Sequence, residues 1–417
     1  MKPASGRPDP PQAAGREAAL DAVATGRKNS LFEVDLSENQ ARISERVRGA
    51  RVMVVGGGGS IGAATTGLLL AFQPATLHIV DHSENYLAEL VRDLRSRPEG
   101  LGRTDFRTFP IDYGGPIMAR LLGTLPPYDV VLNFAALKHV RSEKDLFSIL
   151  QMLDTNVIQH RRFKERLARH GHGRTYFAVS TDKAANPVSL MGASKRLMED
   201  IVFGVSIDHA ISTTSARFAN VAFSNGSLLQ GFLRRLERRQ PLAVPRETKR
   251  YFISRREAAE LCVLAATIIP DRHVAFPRLS PALELQSLHE LAARMLEWCG
   301  LSPEFLDEEA RARLEVEKLA ARNRWPVLLT PLDTSGEKPY EEFVGEGEAE
   351  VDTGLCAVSA LRHQPCGALQ SGLLERLSRL INDPSIETDK SDIVDQIKLA
   401  LANFRHRETG RDLDQRL

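Results

Sequence analysis

Four polar residues of this sequence are best suited to acid/base chemistry: Thr181, Asp182, Lys183 and Lys195. The first three directly follow an apolar segment that ends at Ser180, and Lys195 lies twelve residues beyond Lys183 in a helical pattern. A hydroxyl, a carboxylate and two amines held together can donate and accept protons. The adjacent acid and base suit an elimination reaction. The alternative interpretation of Asp182 and Lys183 is a solvated surface ion pair.

A second motif, VMVVGGGGSIG at residues 52–62, has the spacing of a phosphate-binding loop. Gly56, Gly59 and Gly62 lie between a predicted strand and a predicted helix. Such a turn needs positive φ, the backbone must approach the phosphates, and the helix N-terminus supplies N–H donors. We therefore predict that these glycines, with Ser60 and Ile61, bind a pyrophosphate. A glycine-rich surface turn is the alternative.

Asp81 ends the next predicted strand, 19 residues after Gly62. A carboxylate at this position holds the adenosine ribose of a dinucleotide. It would repel a 2′-phosphate, so the pattern favours NAD, with NADP left open.

Alternating strands and helices must position these residues. Strands are predicted at Arg51–Val55, Thr76–Val80, Phe106–Ile111, Asp129–Asn133, Tyr176–Ser180 and Thr213–Phe218. Helices are predicted at Asn29–Arg48, Ile61–Phe72, Glu84–Arg95, Pro116–Leu122, Ile149–His170, Met191–Phe203, Ser287–Cys299, Pro303–Asn323, Leu369–Ile381 and Ile393–Phe404. This alternation predicts an α/β fold with a doubly wound parallel sheet of the Rossmann type and a smaller C-terminal substrate lobe.

The same pattern divides the chain into four segments. We predict a partly disordered N-terminal arm at 1–48 and a dinucleotide-binding domain at 49–218. A mainly substrate-binding lobe at 219–345 and a helical tail at 346–417 follow. The first 50 residues suit an arm between subunits.

Composition excludes several classes of function. The chain has 417 residues and a net charge of +1, so no overall field attracts it to nucleic acid. Its four cysteines are scattered, which predicts neither a zinc site nor disulfides, and no metal is expected. We find no secretory signal and no apolar stretch near the ~20 residues of a membrane span. A cytoplasmic protein without membrane insertion is expected.

Several motifs carry a resemblance to a known family. Between about residues 50 and 345, the sequence resembles the extended short-chain dehydrogenase/reductases, and among them the UDP-N-acetylglucosamine 4,6-dehydratase group of bacterial polysaccharide biosynthesis. The resemblance rests on VVGGGGSIG, VDHSEN, NFAALKHVRSEKD, DTNV, VSTDKAANPVSLMGASK, RFANVAFSNGS, KRYFIS and SGEKPYEEF. It implies an NAD-dependent lyase that acts on a UDP-sugar, and a homo-oligomer.

The resemblance also implies roles for individual residues. Lys195 would bind the nicotinamide ribose, Thr181 the sugar, and Asp182 with Lys183 would be the acid/base pair. Further positions are assigned as follows: Lys138 and Asn156 beside the nicotinamide and sugar, Asp112, Ala135 and Ala136 on the cofactor, Asn220, Ser227 and Arg250 around the diphosphate, and Glu337 on the substrate.

The sequence departs from the family pattern at the position of the usual catalytic tyrosine, which is Met191. A thioether cannot act as a base, so another group must take the O4 proton. Family arginines are replaced by Asn225 and Thr334, a proline by Ser335 and a glycine by Ala219. These changes affect how the diphosphate is held.

The expected reaction begins with hydride transfer from C4 of the sugar. Lys183 would then remove the C5 proton, protonated Asp182 would help the C6 hydroxyl to leave as water, and hydride would return to C6. Two alternatives remain open. One is an epimerase on the same scaffold, and the other is a catalytically silent NAD-binding scaffold, which Met191 and the missing arginines favour.

Overall fold

The computed structural model describes residues 13–204, 211–364 and 372–411. Its strands are β1 Arg51–Val55, β2 Thr76–Asp81, β3 Asp105–Pro110, β4 Val130–Asn133, β5 Thr175–Val179, β6 Ser212–Ala216, β7 Asn220–Val221, β8 Leu242–Pro245, β9 Lys249–Arg250, β10 Phe252–Ile253, β11 His273–Pro277, β12 Gln286–Ser287, β13 Ser302–Leu306, β14 Arg324–Thr330, β15 Glu350–Val351 and β16 Val358–Arg362.

The helices follow in the same chain order. They are α1 Ala13–Thr25, α2 Glu33–Glu38, α3 Gln40–Val47, α4 Ser60–Leu70, α5 Glu84–Ser96, α6 Pro116–Thr124, α7 Leu146–Leu153, α8 Gln159–Arg169, α9 Leu190–Gly204, α10 Leu228–Glu237, α11 Arg255–Thr267, α12 Pro281–Glu284, α13 Leu288–Trp298, α14 Glu309–Leu314, α15 Val316–Ala320, α16 Leu373–Asn382 and α17 Lys390–Ala400.

A central sheet organises the fold. Within the described residues it has nine strands in the order β15-β16-β11-β6-β5-β4-β1-β2-β3. The seven strands from β11 to β3 are mutually parallel, and β16 and β15 add antiparallel pairs at one edge. Strands β2, β4 and β5 are buried throughout, as expected where helices cover both faces of a parallel sheet. The predicted doubly wound fold is confirmed.

The sheet extends beyond its predicted end. The sequence pattern placed its last strand at Thr213–Phe218, but β11, β15 and β16 continue it. These strands come from segments that we had assigned to the substrate lobe and to the helical tail. Strand β11 pairs with β6 and β16, both far from it in sequence, so local alternation did not reveal it, and β15 has only two residues.

The N-terminal segment packs against its own chain instead of extending as an arm. Arg27 forms an ion pair of 2.9 Å with buried Glu257 on α11. Phe32, Ile43 and Val47 belong to the main core. We had predicted a partly disordered arm over residues 1–48, whereas α1 already begins at Ala13 and α2 and α3 follow it. Residues 1–12 of the predicted arm lie outside the described residues.

A small parallel sheet in the order β13-β14-β8 forms the lobe. The helix predicted over Pro303–Asn323 is wrong at its start, because residues 302–306 form β13, and α14 and α15 follow. Pro303 lacks an N–H, but β13 is an edge strand of this sheet, where proline is tolerated.

Helices α16 and α17 cover an apolar face formed by α7 and α9. Leu374 and Leu377 from α16 and Ile397 from α17 are buried with Ile149 and Leu197 in one cluster. The predicted single helix Ile149–His170 is α7 and α8 joined by a π turn at Asp154–Ile158. Residues 369–371 of a predicted helix, and Cys366, lie outside the described residues.

No helix in the described part of the chain combines the length and apolar character needed to cross a bilayer.

Candidate functional site

A cleft of about 810 Å³ opens at the carboxyl ends of β1, β2, β4 and β5. Strand order reverses between β2 and β4 on the two sides of β1, which is where parallel sheets bind ligands. Most of the predicted site residues line this cleft: Gly56, Gly59, Ser60, Ile61, Gly62, Asp81, Asp112, Ala135, Ala136, Lys138, Thr181, Lys183, Met191, Lys195, Asn220 and Ser227.

The glycine loop joins β1 to α4. Gly56 has φ of +71°, and a Cβ there would lie 2.7 Å from the Ala135 nitrogen. At Gly59 an added Cβ would meet nothing closer than 3.4 Å, so packing within the chain does not require glycine there. Within the described residues no side chain caps α4, which leaves its N-terminal N–H groups for an anion.

Asp81 is buried at the end of β2, beside this loop. Its Oδ2 accepts a hydrogen bond of 3.0 Å from the Gly58 N–H, and Oδ1 accepts one of 2.9 Å from the Ser83 N–H. Each carboxylate oxygen can accept a further bond. The loop and Asp81 thus fit the pyrophosphate and the ribose of a dinucleotide.

The acid/base cluster follows β5. Thr181 Oγ donates to Asp182 Oδ1 over 2.9 Å, and Lys183 Nζ donates to the same oxygen over 3.1 Å. Glu341 Oε1 lies 3.7 Å from Lys183 Nζ. Burial lowers the pKa of Lys183, but the Asp182 and Glu341 charges outweigh it and raise that pKa above the ordinary value. The proton of the pair therefore rests on Lys183, whereas our sequence-based mechanism placed it on Asp182.

Helix α9 carries Met191 and Lys195 into the cleft. The Met191 N–H donates over 3.0 Å to Oε1 of buried Glu143, which holds the start of the helix. Lys195 Nζ donates to the Val179 carbonyl over 2.7 Å. Burial lowers the pKa of Lys195 to about 8. Its amine can therefore exchange a proton near neutral pH.

Asn156 and Asp182 are buried behind the cleft wall. The Asn156 side chain accepts from the Leu137 N–H over 2.9 Å and donates to the Leu137 carbonyl over 2.8 Å. It also donates to Ser194 Oγ over 3.0 Å. Asn156 thus positions the cleft wall at Leu137, and its place beside the cofactor stays a prediction. Asp182 reaches the cleft through Thr181, which lines it.

Arg250 and Glu337, both predicted at the substrate, lie outside the cleft lining among the described residues, and their contact with a substrate stays a prediction. The Arg250 guanidinium donates to the carbonyls of Pro339 and Lys338, each over 3.0 Å. Glu337 accepts a hydrogen bond from Thr334. Both side chains organise loop 333–341, and the Arg250 charge also acts on Lys183, where it opposes the rise in pKa.

Sequence reasoning missed Glu341 and Glu143 as parts of the site. Glu341 faces Lys183, and the SGEKPYEEF motif that contains it was the available signal. His139 lines the cleft. Burial, followed by the charges of Lys138 and Arg141, lowers its pKa. Two cations, Lys138 and Arg141, therefore lie close enough to His139 to act on its charge.

Known proteins are similar to this chain over most of its length. The family described as "Polysaccharide biosynthesis protein" matches residues 52–360. The chain is 27% identical over 346 residues to the probable polysaccharide biosynthesis protein EpsC of Bacillus subtilis, covering 78% of this chain and 57% of EpsC. It thus spans little more than half of that relative.

Two further similarities concern an enzyme sequence and a solved structure. The chain is 25% identical over 257 residues to the inverting UDP-N-acetylglucosamine 4,6-dehydratase of Campylobacter jejuni strain 81-176, covering 59% of this chain and 72% of the enzyme. The structure of DesIV, a dTDP-glucose 4,6-dehydratase from Streptomyces venezuelae with NAD and TYD bound, is similar with a TM-score of 0.55 and 17% identity. It covers 80% of this chain and 99% of DesIV. The latter similarity supports the fold.

Proposed function

The chain belongs to the polysaccharide biosynthesis protein family, and from this premise we propose that it is a nucleotide-sugar 4,6-dehydratase. Its proposed substrate is UDP-N-acetylglucosamine, and its product a UDP-4-keto-6-deoxy-hexosamine for a bacterial surface polysaccharide or glycan. The observation that carries the proposal is the position of Thr181, Lys183 and Lys195 in the same cleft as the glycine loop. The named dehydratase relative supports the substrate.

NAD is the proposed cofactor. Gly56, Gly59 and the N-terminus of α4 would hold its pyrophosphate, and the Asp81 carboxylate would accept from its ribose hydroxyls. The NAD named with the DesIV structure is consistent with this assignment. Bound NAD supplies an acceptor for hydride from C4 of the sugar and a donor that returns hydride to C6.

The chain's own residues would move the protons. Transfer of one proton over the 3.1 Å between Lys183 Nζ and Asp182 Oδ1 converts the ion pair into a neutral amine and a neutral acid. The amine then accepts the C5 proton, which the C4 ketone has acidified. The Asp182 proton passes through the Thr181 hydroxyl to the C6 hydroxyl, which leaves as water. The predicted roles of Lys183 and Asp182 thus follow from one internal transfer.

Two remaining tasks fall to residues of the same cleft. Since Met191 cannot take the O4 proton, Lys195, with a pKa of about 8, is the proposed acceptor. Asn220 and Ser227 line the cleft and would hold the diphosphate, and Lys138 lines it where the nicotinamide and the sugar would lie. Ser227 caps α10, whose N-terminus favours negative charge. A homo-oligomeric state stays a prediction.

The test is incubation of the purified protein with UDP-N-acetylglucosamine and NAD, followed by mass spectrometry and proton NMR. We expect loss of the mass of one water and a new C6 methyl doublet. An isomer of unchanged mass would identify an epimerase instead. If NAD-loaded protein leaves the sugar unchanged, the proposed substrate is wrong. Asp182→Asn, which cannot carry the transferred proton, is the matched control.

A further inference from the structure

Residues 403–411, here called the strap, run back from α17 to residues 183–191, here called the catalytic segment. The Arg405 N–H donates to the Pro187 carbonyl over 3.1 Å, and the Arg407 N–H donates to the Val188 carbonyl over 2.9 Å. The Asn403 side chain donates to the Ala185 carbonyl over 3.3 Å. These carbonyls belong to the turn between Lys183 and Met191. The strap therefore forms an outer wall of the segment that carries the proposed chemistry.

The strap also binds the first part of loop 333–341. The Ser335 N–H donates to the Arg411 carbonyl over 2.9 Å, and the Gly336 N–H donates to the Arg407 carbonyl over 2.9 Å. Ser335 Oγ donates to Glu408 Oε1 over 2.5 Å. Lys390 at the start of α17 lies 2.6 Å from the other Glu408 oxygen, which ties the strap to the helix before it.

Ser335 makes this arrangement possible. The family that this sequence resembles has proline at this position, and proline has neither an N–H nor a hydroxyl group. A proline here would lose the hydrogen bond to Arg411 and the one to Glu408. Serine in place of proline therefore supplies the two groups that bind Arg411 and Glu408 of the strap.

Loop 333–341 transmits the position of the strap to the site by two contacts. A Cβ added at Gly336 would lie 2.8 Å from the Ser189 Cβ, so the loop packs directly under Ser189. Ser189 Oγ accepts from the Gly192 N–H over 3.0 Å at the first turn of α9. The same loop leads to Glu341, which lies 3.7 Å from Lys183 Nζ.

A third contact comes from the strap itself. The His406 side chain is buried with its Nε2 3.6 Å from Glu143 Oε2. The other oxygen of Glu143 accepts the Met191 N–H. The strap thus contacts the catalytic segment directly before α9. It reaches the start of α9 through Glu143, and it reaches Lys183 through loop 333–341.

We propose that the strap is a positioning element for the catalytic segment 183–191, and that Ser335 is the positioning residue that anchors it. This inference rests on the proposed function only for its kinetic readout. In this chain the loop with the SGEKPYEEF motif holds the strap instead of the diphosphate. The strap should therefore influence kcat and leave the binding of the nucleotide sugar nearly unchanged.

A series at Ser335 separates the interactions. Ser335→Thr keeps the N–H and the hydroxyl, Ser335→Ala keeps the N–H, and Ser335→Pro keeps neither. We expect near-normal turnover for Ser335→Thr, a small loss for Ser335→Ala and about a 10- to 100-fold loss of kcat for Ser335→Pro, because small displacements of reacting groups are costly. KM for the nucleotide sugar should change less than about two-fold across the series.

Hydrogen exchange measures positioning without turnover. We expect amides of residues 185–195 to exchange faster in Ser335→Pro, while those of 51–70 at the glycine loop stay protected. If kcat is unchanged and KM rises, the loop binds the diphosphate and the proposal is wrong. Unchanged exchange at 185–195 would also overturn it. Should the wild-type protein not turn over the sugar, the proposed function fails, and the exchange result still decides the role of the strap.

Accelerated exchange at 51–70 would show that Ser335→Pro disturbs folding. In that case Glu408→Gln replaces it, because this variant leaves the backbone of both segments intact and weakens only the side-chain anchor. We expect a smaller change in the same direction, with faster exchange at 185–195 and lower kcat. No change in either quantity would refute the anchoring role.

Discussion

Two buried ion clusters flank the end of β5, and they differ in how tightly their charges are held. In the Arg217 cluster, Arg217 lies 2.8 Å from Glu199 and 2.5 Å from Glu348, and Arg196 bridges the same two carboxylates. In the Lys183 cluster, formed with Asp182, Glu341 and Lys338, the separations are 3.1, 3.7 and 3.6 Å. Each cluster pairs two cations with two carboxylates.

The difference indicates which cluster can do chemistry. Burial raises the pKa of Glu199, but Arg217 outweighs it and lowers that pKa to about 2, so no proton moves there near neutral pH. The Lys183 cluster opens to the cleft, and Glu341 Oε2 lacks a hydrogen-bond partner among the described residues. The tight cluster fixes the fold beneath Ser180, whereas the loose one can rearrange protons.

The largest expected effect is on stability, from Arg217→Met. This change leaves Glu199 and Glu348 buried with one arginine between them, and removing one partner of a buried ion pair costs about 3–5 kcal/mol. Urea denaturation followed by circular dichroism measures the free energy of unfolding. Arg239→Met is the matched control, because Arg239 pairs with Glu317 on the surface, and it should change little. Equal losses would remove the distinction between tight and exposed pairs.

Lys183→Met tests the other cluster. We expect kcat to fall about 10²- to 10⁴-fold, the range for loss of a general acid or base, with NAD binding retained. Lys338→Met is the control, since Lys338 pairs with the same Glu341 but is not among the cleft-lining residues that the structure describes. It should keep most activity. If both variants lose activity alike, the Lys183 cluster is only structural.

Short-range patterns predicted the cofactor side of this site well. The glycine loop and Asp81 fall within one strand–helix–strand unit, so their spacing nearly fixes their geometry. Thr181, Lys183 and Lys195 likewise come from one strand end and the helix that follows it. All of them line the cleft, while their chemical roles stay predictions.

Long-range partners escaped sequence reasoning. Arg250 was assigned to the diphosphate, which stays a prediction, but its hydrogen bonds to the carbonyls of Lys338 and Pro339, some 88 residues away in sequence, were not predicted. Glu348 reaches Arg217 across 131 residues, and no periodicity indicates this pairing. The docking of the N-terminal segment on α11 and the pairing of β11 with β6 escaped for the same reason. Local periodicity shows which elements form, but not which distant groups form hydrogen bonds or ion pairs with a charged side chain.

The smallest expected effect comes from Glu341→Gln, which keeps the shape of the Lys183 cluster and removes one charge. Glu341 helps to raise the pKa of Lys183 above its ordinary value of 10.5, so losing that charge lowers the pKa. The active pair must retain one proton, and its loss from Lys183 gives the falling limb of kcat/KM at high pH.

This falling limb should therefore move to lower pH in Glu341→Gln. The rising limb at the Lys195 pKa of about 8 should stay in place, because burial and Glu199, not Glu341, set that pKa. A pH profile of kcat/KM for both proteins contains both limbs, so the Lys195 limb serves as an internal reference. Movement of both limbs together would mean that Glu341 acts on the whole cleft. A falling limb that does not move would show that Lys183 does not hold the proton whose loss ends activity.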